Sequence, residues 1–159
     1  MNLRNSLAAL ALFAFAQVGQ AMTLSKETTL ADGRGGQMIA VTTGELGAAG
    51  ANRSTEATFS NFQPRADGGR VDGNLRRDFS REGRDTESVL SGRLTLTPAA
   101  GATNSAPRVL EINGLTVVRD GEGPEFSGSV SIDGQAIPAD RLPAAIRKLL
   151  RRLVGLSQL

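Results

Sequence analysis

The chain has no cysteine, no histidine, no tyrosine and no tryptophan. Each absence removes a class of function. Without cysteine no disulfide can hold the fold, and no thiol is available for a lipoprotein anchor. Without histidine the usual zinc ligand and the usual general base are missing. Every Ser-His or Cys-His nucleophile arrangement goes with them. Beyond the N-terminal leader the only aromatics are Phe59, Phe62, Phe79 and Phe126. Sugar clefts and single-strand nucleic-acid grooves rely on aromatic platforms. Outer-membrane barrels use Trp/Tyr girdles. All three readings lose weight.

Catalysis is left to carboxylates, hydroxyls and Lys26, the one lysine outside the leader and the C-terminal tail. No Ser-x-x-Lys or Gly-x-Ser-x-Gly occurs. A carboxylate-based hydrolase needs two acids facing across a cleft, which a sequence cannot show. The expectation is therefore a non-enzymatic protein without a cofactor.

What is present begins with an address. A short basic start, Met1 to Asn5, precedes ten apolar residues from Leu7 to Ala16. Small residues follow at Gly19 and Ala21. This is the layout of a cleaved signal peptide covering residues 1–21. The apolar run is too short for a bilayer span, which takes about 20 residues. A periplasmic or secreted protein is expected.

Charge is unevenly placed. Between Met22 and Asp140 there are 12 basic and 16 acidic side chains, a net −4. From Arg141 to Leu159 there are five basic residues and no acid. An acidic body thus carries a basic tail. No nucleic-acid partner is expected, because the body's arginines are outnumbered by acids, net positive charge is left only in that tail, and the aromatics are few.

Residues 22–36 read as a flexible N-terminal segment, because the stretch around Ala31 to Gly36 is rich in turn formers. From residue 37 to 138 the pattern is that of strands. Gln37–Thr43, Thr55–Phe62, Arg70–Ser80 and Thr86–Thr97 are rich in β-branched or alternating residues. Arg108–Ile112 and Leu115–Arg119 flank Asn113-Gly114, a two-residue hairpin signal. Phe126–Ile132 follows, and Asp133-Gly134 turns it toward Ile137. Leu90–Leu96 and Phe126–Ile132 resemble each other: apolar, Gly, apolar, apolar on one face and polar on the other. The expected architecture is mainly β, an antiparallel β-sandwich or a curved, partly open barrel, with one C-terminal amphipathic helix over 140–156.

That helix places Leu142, Ile146, Leu149, Leu150, Leu153 and Val154 on one stripe. Arg147, Lys148, Arg151 and Arg152 line the opposite face and are the candidate binding residues. Three readings follow: an anionic membrane surface, an acidic protein partner, or a stripe that packs on its own sheet with the acidic body drawing in the basic face. Asp120, Glu122 and Glu125 form an acidic loop that could hold a hard cation such as calcium, against the plainer reading of a solvated turn. The run Arg76 to Asp85 reads as a solvated charged hairpin. Two functions are expected: a binding or assembly module working through the basic helix, or a carrier of lipid or another hydrophobic ligand with the helix as lid. In the carrier, Leu90, Leu94, Leu96, Phe126, Val130 and Ile132 would line the cavity, or equally form plain core.

Overall fold

The computed structural model describes residues 22–47, 50–66, 68–102, 106–119 and 124–156. The signal peptide expected over residues 1–21 lies outside them. Eight antiparallel strands form one sheet in simple sequence order: β1 (Met22–Ala31), β2 (Gln37–Gly47), β3 (Gly50–Phe62), β4 (Arg70–Glu82), β5 (Asp85–Thr97), β6 (Arg108–Arg119), β7 (Pro124–Ile132) and β8 (Gln135–Pro138). A 3₁₀ turn at Ala139–Arg141 leads to helix α1 (Ala144–Leu156). The sheet is curved and not closed, and α1 stands over one of its faces. Of the two architectures expected from sequence, the open curved sheet is the one found.

Alternation decides what each face carries. On the helix-covered face β2 contributes Met38 and Ala40, β3 Ala57 and Phe59, and β4 Val71 and Leu75. Leu94, Leu110, Ile112 and Val130 continue the layer across β5, β6 and β7. Leu142, Leu150 and Leu153 close it from the helix side, and Leu153 is completely buried. The apolar stripe of α1 is therefore core. It is not free to enter a lipid headgroup layer.

Two expectations are corrected. Residues 22–31 are a strand, not a flexible segment. The stretch lacks an apolar period, but β2 supplies a continuous partner, from Met22 opposite Leu46 to Ala31 opposite Gln37. The turn between them is held by Asp32, whose carboxylate accepts from the backbone N–H of Arg34, Gly36 and Gln63 at 2.7, 3.0 and 2.8 Å. Burial works against the charged form of Asp32, but these three donors hold its pKa below the ordinary carboxylate range.

Asn113-Gly114 is not a hairpin turn either. β6 runs through it, with a register shift against both neighbours between Leu90 and Gly92 and between Asn113 and Thr116. Gly114 has φ +63°, the left-handed value that a bulge needs as much as a turn does. Asp133-Gly134 is a true hairpin turn, with both residues at positive φ.

Candidate functional site

The register brings three rungs together beyond the apolar core. The first runs Thr42, Thr55, Arg77, Leu90, Leu115 across β2 to β6. The second runs Gly44, Arg53, Phe79, Ser88, Val117, Phe126 across β2 to β7. The third runs Leu46, Ala51, Arg81, Thr86, Arg119. All these side chains face the helix side. Arginines therefore stand among apolar neighbours where a continuous core would be expected.

Between these rungs and α1 lies a cleft of about 340 Å³. Its sheet wall holds Phe79, Leu90, Leu115, Val117 and Phe126, and its helix wall Leu142, Leu150 and Val154. Its cations are Arg77 and Arg119 from the sheet and Arg147 and Arg151 from the helix. Among the described residues no carboxylate lines it.

Arg77 is the most constrained of the four. It is half-buried, and its Nε and Nη2 donate to Ser88 Oγ at 3.3 and 2.9 Å. Its guanidinium lies 5.0 Å from the ring centre of Phe79, and that of Arg53 lies 5.3 Å from the same ring. Burial first, then the charges of Arg53 and Arg119, push the pKa of Arg77 down. Among the described residues no acid compensates it. The pairs found, Arg76 with Glu56 and Asp78, Arg93 with Glu111, and Arg108 with Asp133, lie elsewhere.

The acids of the strands are sorted by face, whereas cations occur on both. The helix-facing strand positions carry Lys26, Arg53, Arg77, Arg81, Arg108 and Arg119 and no Asp or Glu. Glu45, Glu56, Asp78, Glu87, Glu111 and Glu125 all occupy the opposite face. The acidic body therefore does not draw in the basic helix. The helix meets the cationic side of the sheet.

The four candidate residues of α1 are all exposed, and they divide between two clefts. Arg147 and Arg151 line the cleft just described. Lys148 and Arg152 line a second, about 380 Å³, on the other flank of the helix, with Arg65, Arg70, Arg108, Leu96 and Leu149. There Arg108 donates to Asp133 at 2.8 Å and Arg70 to Asn61 at 3.1 Å. A third hollow, near β2–β5, mixes Glu45, Asp78 and Glu87 with Arg53.

Of the acidic-loop candidates, Asp120 and Glu122 lie outside the described residues, and Glu125 is exposed on β7. Among the described residues no cluster of acids could hold a metal ion. Of the six residues expected to line a carrier cavity, Leu90 and Phe126 do so. Leu94, Val130 and Ile132 are core, and Leu96 borders the second cleft. The core fills one end of the sheet, so the cavity lies toward the other end, where β4 and β6 supply Arg77, Phe79 and Arg119. The chain matches no protein-family model, no curated protein and no solved structure.

Proposed function

We propose that this chain is an exported, non-enzymatic binding protein that holds a hydrophobic ligand in the cleft between α1 and β4–β7. The single observation behind this is the cleft itself: about 340 Å³, walled by leucine, valine and phenylalanine beside the buried core. That volume falls in the range of small-molecule sites, which are concave, mostly apolar and carry a few placed polar groups. Phe126 supports the reading, since this large apolar side chain is 45% exposed at the cleft's edge. Helix α1 acts as the cover. It follows the sheet through the Ala139–Arg141 turn and is anchored by Leu150 and Leu153. The lack of histidine and cysteine argues for binding rather than turnover. The basic start, apolar run and small residues of 1–21 argue for export.

The test is titration of the mature chain with a neutral apolar fluorophore, N-phenylnaphthylamine. One saturable site is expected. Val117→Trp, which fills the cleft, should abolish it while the circular dichroism spectrum and the melting transition remain. Absence of saturable binding, or full binding by a folded Val117→Trp, overturns the proposal. Export is checked by the mass of the protein outside the cytoplasm, which should begin at Met22.

A further inference from the structure

Resting on the cleft as the ligand site, we infer that the ligand is an amphiphile with an anionic head, seated between Arg77 and Arg119 on the sheet and Arg147 and Arg151 on the helix. Four guanidiniums surround a space that no carboxylate of the described residues enters. A plain apolar cavity needs none of them. A structural arginine would be expected to meet an acid, as Arg76, Arg93 and Arg108 do.

Arg77 carries the argument furthest. Its two donors share one neutral hydroxyl, that of Ser88. It is half-buried beside apolar Leu90 and close to two other cations. A cation so placed loses hydration and gains repulsion, and both are relieved by an anion in the cleft. The planar fork of arginine matches a carboxylate or phosphate with two parallel hydrogen bonds. The apolar body of the ligand would lie along Leu115, Val117, Phe126 and Leu150. The second cleft is less suited. Its Arg108 is already paired with Asp133, and its other cations, Arg65, Arg70, Lys148 and Arg152, are all exposed, so none is desolvated as Arg77 is.

A head group of this kind could be a free fatty acid or the phosphate of a single-chain lipid. The experiment uses the mature chain and three probes: a fluorescent long-chain fatty acid, the alcohol of the same chain, and dodecyl phosphate as competitor. The acid should bind at least tenfold tighter than the alcohol at about 0.01 M salt. The gap should narrow to less than about threefold at about 1 M, where the screening length falls to about 3 Å. Arg77→Gln should lower the affinity for the acid about tenfold and leave the alcohol nearly unchanged. The double variant Arg147→Gln/Arg151→Gln alters exposed helix positions, so it keeps the test open if Arg77→Gln fails to fold. It should lose the same preference. Dodecyl phosphate that outcompetes the acid identifies a phosphate head; the reverse order identifies a carboxylate. Equal affinity for acid and alcohol overturns the anionic head but leaves the hydrophobic site standing. Binding of neither overturns both.

Discussion

Arg53 and Arg77 share one aromatic ring: their guanidiniums lie 5.3 and 5.0 Å from the centre of Phe79. Two like charges on one ring, one of them half-buried, are unfavourable without an anion nearby. Arg77→Met keeps the length and apolar stem while removing the charge. The ligand-free variant should be more stable than the parent by about 1 kcal/mol. A urea titration read at its midpoint decides this. A variant less stable than the parent would show that Arg77 contributes to folding and not only to binding.

Much of this arrangement was readable in the chain, because alternation survives on most strands. Val71, Leu75 and Phe79 fall on one face of β4 and Asn74, Arg76 and Asp78 on the other. The helix stripe was readable for the same reason at period 3.6, whereas the division of its cations between two clefts was not. Arg77 was hidden by its neighbours. In the run Arg76 to Asp85 it looks like one more solvated charge, yet it has the parity of Leu75 and stands opposite Leu90. Parity alone could have signalled it. The rung that joins it to Leu115 crosses two strands and a bulge, which no local pattern encodes. β1 was missed because its order comes from ten pairings with β2 rather than from its own side chains. Asn113-Gly114 misled because a bulge and a hairpin turn ask for the same positive φ.

The helix stripe is core, and its loss should be felt as core. Leu153 has no exposed surface. Leu153→Ala should cost about 3 kcal/mol, the middle of the range for buried leucine. Arg152→Gln, on the exposed face, should stay within about 0.5 kcal/mol. A chain ending at Asp140 removes Leu142, Leu150 and Leu153 together. It should aggregate, and the intact protein should not float with anionic vesicles. Stable, soluble truncated protein would mean that α1 is an appendage.

Acid should destabilise the fold through a few named carboxylates. The backbone N–H groups of Arg34, Gln63 and Gly36 hold Asp32 low against the effect of burial. Arg76, with help from Ser54, lowers Asp78, and Arg108 with the N–H of Val109 lowers Asp133. A folded pKa below the unfolded one gives stability that is complete above the unfolded value, about 3.9. That stability is lost as pH falls through the depressed value. With no histidine to titrate, stability should be level from about pH 5 to 8 and fall below about pH 4. Asp32→Asn should cost about 1–2 kcal/mol at neutral pH, because one amide oxygen cannot serve three donors. It should also shallow the acid limb. An unchanged limb in that variant would assign the acid sensitivity to other groups.

Two glycines at positive φ should respond differently to the same substitution, because only one has neighbours. Gly114 has φ +63° at the bulge of β6, and a methyl group there would meet nothing within 4 Å. Gly114→Ala should therefore cost only the backbone term, about 1–2 kcal/mol. Gly73 has φ +116° inside β4, and its added carbon would collide with the carbonyl oxygen of Arg93. That atom belongs to the β4–β5 ladder, so it cannot move aside alone. Gly73 also sits between Phe59 and Leu94, both buried. Gly73→Ala should force the two strands apart and cost at least about 3 kcal/mol, counting both strain and disturbed packing. Denaturant midpoints of the two variants measure the difference. Equal losses would mean that the close approach of β4 and β5 at this rung is not what the glycine serves.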